Sequence, residues 1–124
     1  MIRTIGAIVL FVEDLEKCVA FYRDAVGLTP VFNDDVSYDF KFGEQDFLLL
    51  QKNAAVRMLG EAGRNWSGSR VMLCSAADDV DATYEALKAN GVTFINPPTD
   101  QGWGRRTVHF ADPEGNLWEL YKEL

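Results

Sequence analysis

The residue best placed to do chemistry is Glu119. It stands in Leu117-Trp118-Glu119-Leu120-Tyr121, where strand alternation puts Leu117, Glu119 and Tyr121 on one side and Trp118 and Leu120 on the other. One carboxylate therefore sits among apolar neighbours. Such a group can anchor a ligand or act as a general base near neutral pH. His109 is the chain's one histidine and alternates with Thr107 and Ala111 on a neighbouring apolar stretch. It is a candidate ligand contact, although a lone strand histidine more often serves structure or an interface. Arg105 and Arg106 follow a glycine-flanked tryptophan, Gly102-Trp103-Gly104; one of the two is a candidate for an anionic ligand group or for Glu119 itself, although such a pair is more often a solvated charge, and Arg105 is taken as the ligand contact. Trp103 and Trp66, the latter in Asn65-Trp66-Ser67-Gly68, lie in loops where a large apolar side chain can close a pocket or bury in a contact between copies. Phe11 and Phe40 add planar surface for stacking on a planar ligand.

These side chains need elements to hold them. Between two apolar runs, Asp112-Pro113-Glu114-Gly115-Asn116 combines a fixed φ, a residue that tolerates positive φ, and side chains that bond nearby backbone. It predicts a hairpin whose second strand carries Glu119. Thr4 to Val12 is apolar on both alternating faces and reads as a strand covered on both sides. Asp14 is an N-cap for a helix with Leu15, Cys18, Val19, Tyr22 and Val26 on its inner stripe, ending at Gly27. Thr29 to Phe32, Tyr38 to Phe42 and Phe47 to Gln51 read as three strands. Residues 53–69 break any sustained period, apart from a possible short helix over Ala54 to Leu59, and form a connector.

The order then repeats. Arg70 to Ala76 is a strand, Asp79 caps a helix with Val80, Thr83, Tyr84 and Leu87 inward, and Asn90-Gly91 ends it. Thr93 to Asn96, Arg105 to Ala111 and Asn116 to Tyr121 supply three strands. The fold class is α+β, two βαβββ modules at 1–52 and 70–124 within one domain. Each module covers one sheet face with its own helix and leaves an apolar face open, so the two open faces are expected to curl around a cavity.

Composition bounds the partners. At 124 residues the chain can bury roughly two-thirds of its unfolded surface without staples. Cys18 and Cys74 lie inside apolar segments, with no signal-peptide pattern and no membrane-spanning run, which predicts a reduced, cytoplasmic, soluble protein. A net charge of −7 argues against nucleic acid and anionic membranes, since phosphate contact needs clustered Lys and Arg.

Val12-Glu13-Asp14-Leu15, Phe21-Tyr22-Arg23-Asp24 and Gly27-Leu28, then Gly91-Val92, Gly104-Arg105-Arg106 and Asp112-Pro113-Glu114-Gly115-Asn116 with Glu119-Leu120, resemble the vicinal oxygen chelate superfamily. That superfamily includes glyoxalase I, extradiol dioxygenases, and fosfomycin and bleomycin resistance proteins. The resemblance spans nearly the whole chain. It implies a cupped, incompletely closed mixed β-sheet and a homodimer with a small-molecule pocket, in which Cys74 would face the cup as a small buried hydrophobe. It also implies that the metal-ligand positions of the metal-dependent members fall on Ala7, Gln51, Met72 and Glu119. Only Glu119 suits a divalent ion: Ala7 has no donor, Met72 offers a soft thioether, and Gln51 is an occasional oxygen ligand. No metal ligand and no cofactor is therefore expected, a divalent metal being disfavoured. The expected ligand contacts are Phe11, Phe40, Gln51, Trp66, Met72, Trp103, Arg105, His109 and Glu119, with Glu119 as the candidate catalytic residue. The favoured function is metal-independent binding of an aromatic or amphipathic small molecule. The alternatives are a glyoxalase-, isomerase- or dioxygenase-like enzyme that uses Glu119 as metal ligand or as base.

Overall fold

A computed structural model describes residues 5, 7–60 and 71–124, and Trp66 lies outside them. The first half runs β1 (Ala7–Val12), α1 (Leu15–Ala20) with a π-helical continuation (Phe21–Ala25), β2 (Thr29–Asn33), β3 (Ser37–Phe42), β4 (Gln45–Gln51) and α2 (Lys52–Leu59). The second half runs β5 (Met72–Ala76), α3 (Val80–Ala89), β6 (Thr99–Asp100), β7 (Arg105–Ala111) and β8 (Leu117–Glu123). The chain gathers into two compact units, residues 1–67 and 68–124.

Each unit holds one four-stranded mixed sheet of the same topology. The strand order is β1-β4-β3-β2 in the first and β5-β8-β7-β6 in the second. The first strand of each unit runs parallel to the last, and the remaining pairs are antiparallel. The helices α1 and α3 start as the sequence predicts. Asp14 Oδ1 accepts the Lys17 N–H at 3.1 Å and Asp79 Oδ1 accepts the Ala82 N–H at 3.0 Å, each satisfying a donor that the first turn leaves open. Both end just before a glycine at positive φ, Gly27 at 86° and Gly91 at 95°, where a side chain would be strained.

Period-two alternation then sorts each sheet into a covered and an open face. In the first unit Leu10, Val12, Phe40, Phe47 and Leu49 bury with Cys18, Val19 and Tyr22 of the helical segment, and the Tyr22 and Phe47 rings lie 4.9 Å apart. In the second, Val108, Phe110, Trp118 and Leu120 bury with Val80 and Leu87. Phe110 stacks on Trp118 at 6.1 Å and meets Phe94 edge-on at 5.4 Å.

Three expectations change. β1, expected to be covered on both sides, is covered on one: Leu10 and Val12 are buried, while Val9 is 42% exposed. Thr93 to Asn96 is not a strand; Phe94 makes one isolated bridge to Phe110, and β6 is Thr99–Asp100. Pro97 and Pro98 explain the break, because neither has an N–H for a ladder and each fixes φ. Cys74, expected as a buried hydrophobe, is exposed, because β5 is an edge strand and Cys74 sits on its open face; Cys18 is the buried cysteine.

Candidate functional site

The hairpin before β8 sets which side chains reach the open face. Asp112 Oδ1 accepts the N–H groups of Glu114 at 2.9 Å and Asn116 at 2.8 Å, while Oδ2 takes the Asn116 amide at 2.8 Å. With the turn fixed, β7 and β8 pair in one register from Arg105–Glu123 to Ala111–Leu117. A slip of one residue would turn Glu119 into the helix-covered core.

In that register Cys74, Glu119 and His109 form a row across β5, β8 and β7. Glu119 is only 6% exposed, and its Oε1 lies 2.9 Å from His109 Nε2. Asn96 completes the chain from outside the sheet: its Nδ2 is 2.9 Å from His109 Nδ1, and its Oδ1 accepts the His109 backbone N–H at 3.0 Å. The buried carboxylate is thus satisfied by a neighbour, as a buried polar group must be. Cys74 is exposed as a residue, yet burial around its thiol, then the charge of Glu119 and a hydrogen bond to it, hold the thiol above its ordinary pKa, while Arg105 opposes this weakly. It is therefore a thiol rather than a ready thiolate nucleophile.

On one side of the row lie Met72, Leu117 and Ala111; on the other lie Ala76, Tyr121 and Thr107. Arg105 stacks over the Tyr121 ring at 4.0 Å and bonds Glu123 at 2.8 Å. Arg106 points to the opposite face and bridges Asp81 and Asp100 at 2.8 and 2.9 Å; those bonds hold its guanidinium firmly protonated.

The structure thus brings Met72, Arg105, His109 and Glu119 onto one open face. It sets the others elsewhere. Phe11 lies on the open face of the first sheet, in a row with Leu50 and Ser37. Phe40, expected to contact ligand, is 1% exposed in the helix-covered core, because it shares parity with Phe47. Gln51 likewise follows Phe47 and Leu49, away from the open face, and its Nε2 donates to the Glu13 carbonyl at 2.6 Å. Trp103 is 69% exposed in its loop. Asn96 was not singled out from sequence, where it read as the tail of a strand; nothing in its local pattern signals a partner thirteen residues away.

The positions that the family resemblance assigns to metal do not make a fitting donor set. Ala7 has no donor, Gln51 faces away, and Met72 is a thioether. Among the described residues, no three His, Cys, Asp or Glu side chains gather as a metal-holding group.

Two four-stranded mixed sheets of βαβββ order, each backed by a helix and each with an open face, define a glyoxalase-like fold. The chain belongs to the Glyoxalase/Bleomycin resistance protein/Dioxygenase superfamily, whose sequence profile matches residues 4–120. Among solved structures, a glyoxalase/bleomycin resistance protein/dioxygenase from Nocardioides superposes with a TM-score of 0.89 at 27% identity, covering 100% of this chain and 86% of that one. Among relatives, the uncharacterized protein YraH of Bacillus subtilis is 37% identical over 93% of this chain and 94% of its own. A bleomycin resistance protein of Geobacillus stearothermophilus is 26% identical over 100% and 98%. Among the described residues no helix is long and apolar enough to cross a membrane.

Proposed function

We propose that this chain is a metal-independent binding protein that holds an aromatic or amphipathic small molecule in a cupped pocket, one wall of which is the open face of β5, β8 and β7. The observation that carries the reading is the state of Glu119. The one buried carboxylate of that face is already bonded to His109, amid the apolar surface of Met72, Leu117, Ala111 and Tyr121. That combination suits a pocket with few, fixed polar groups. The likeness to a bleomycin resistance protein agrees with it. Trp103 and Arg105 remain proposed contacts at that wall, Phe11 a proposed contact on the open face of the first sheet, and Trp66 a proposed contact outside the described residues; a cytoplasmic homodimer is the proposed setting.

The test is a titration of intrinsic fluorescence and of heat against planar aromatic ligands, run with and without chelator, beside metal analysis and light scattering. Saturable binding that chelator leaves unchanged is expected. A tightly held divalent metal lost in Glu119→Ala, or no binding by any ligand, would overturn the reading.

One observation favours a second reading. Glu119 and His109 at 2.9 Å form an acid–base pair. Glu119 would take a proton from carbon next to a ligand carbonyl, the C–H electron pair passing to the ligand as an enolate, while the His109 contact holds Glu119 in position for that transfer. Turnover abolished by Glu119→Gln with ligand affinity kept would establish it over simple binding.

A further inference from the structure

Asn96 grips His109 in two places, and together they decide where the imidazole proton lies. The His109 backbone N–H can only donate, so the Asn96 atom 3.0 Å from it is the amide oxygen, which turns the NH2 group toward the ring. Asn96 Nδ2 then stands 2.9 Å from His109 Nδ1, a gap that holds one hydrogen, and the amide supplies it. A proton on Nδ1 would have to use the longer 3.3 Å approach to Oδ1 and would leave two hydrogens facing each other. Nδ1 accepts. The ring hydrogen of the neutral imidazole sits on Nε2, 2.9 Å from Glu119 Oε1.

We propose that Asn96 is a positioning residue: it fixes His109 as the Nε2–H tautomer and so holds Glu119 as a hydrogen-bonded carboxylate that meets a ligand as an acceptor. For the ligand this rests on the binding reading above; for the tautomer it does not. An outer partner that sets a histidine's tautomer is a general device for orienting the group beyond it. Its consequence here is chemical selectivity. The charged side chains of the open face are Glu119, Glu123 and Arg105, and Arg105 is engaged by Glu123 and by the Tyr121 ring. A ligand bringing a hydrogen-bond donor, such as an ammonium group or a hydroxyl on an apolar body, suits this face better than a carboxylate or phosphate.

The chain has one histidine, so nitrogen NMR of labelled protein reports a single ring without assignment. At pH 8 the expected pattern is a protonated Nε2 and an unprotonated Nδ1. Asn96→Asp keeps an acceptor for the backbone N–H but replaces the NH2 group by oxygen, so the ring should then carry hydrogen on both nitrogens, held between two carboxylates. Asn96→Ala should give a mixture of tautomers. It should also weaken binding of 2-naphthylmethylamine, followed by tryptophan fluorescence, about tenfold. A purely structural Asn96 would lower the melting temperature in both variants and leave the nitrogen pattern unchanged, which would overturn the proposal. So would a wild-type ring protonated at Nδ1, a measurement that needs no variant to fold. If 2-naphthylmethylamine binds neither protein, the preference for a donor-bearing ligand fails, while the nitrogen spectrum still decides the tautomer.

Discussion

The same row of the two sheets carries opposite solutions to one problem. In the first unit Val9, Leu48 and Asp39 are register neighbours across β1, β4 and β3; in the second Cys74, Glu119 and His109 occupy the matching places. Asp39 stands opposite a leucine, and its Oδ1 is buried with no hydrogen-bond partner among the described residues. Burial first, and then the charges of Asp34 and Asp46, raise its pKa. Glu119 stands opposite a histidine that is itself held by Asn96. An acid on an open sheet face is therefore stabilised or strained by the one side chain across the strand from it, and a shared topology does not decide which.

The comparison can be broken from the largest effect downward. Phe40 and Phe110 are equivalent core positions, 1% and 2% exposed. Replacing either by alanine should cost about 3–5 kcal/mol in denaturant unfolding, and a large difference between the two would show that the covered faces are not equivalent. On the open faces, His109→Ala leaves the Glu119 carboxylate without its ring partner. It should lower stability at pH 7 by about 2 kcal/mol, and a neutral outcome would mean that solvent reaches Glu119 easily. The caps should respond alike: Asp14→Ala and Asp79→Ala each cost about 1 kcal/mol.

Asp39→Asn gives the smallest effect, with opposite sign. A carboxyl whose folded pKa lies above its unfolded value binds its proton more tightly in the folded state. Its contribution is present below the ordinary value of 3.8 and is lost as pH rises through the raised folded value. Removing the charge should therefore raise stability at pH 7 by about 0.5 kcal/mol after solvent screening. It should also flatten the decline of melting temperature above pH 4, as thermal scans across pH would show. A loss of stability in this variant would mean that the carboxylate has a partner in solution.

The sequence determined the repeat and the local signals that build it. Asp14 and Asp79 start helices, Gly27 and Gly91 end them, Asp112 to Asn116 turns the chain, and alternation singles out Glu119, because each of these depends on neighbours a few residues away. Tertiary structure decided what alternation alone leaves open, namely which of two faces a strand side chain meets. Phe40 and Gln51 fell on the helix-covered side because one parity rule governs all of β3 and β4. Cys74 came out exposed because β5 is an edge strand. The pairing of His109 with Glu119 follows from strand register, and the reach of Asn96 to His109 belongs to a stretch that makes one isolated bridge before Pro97 and Pro98 rather than a strand. Contacts between residues distant in sequence carry no local pattern, and the proton on His109 is set by them.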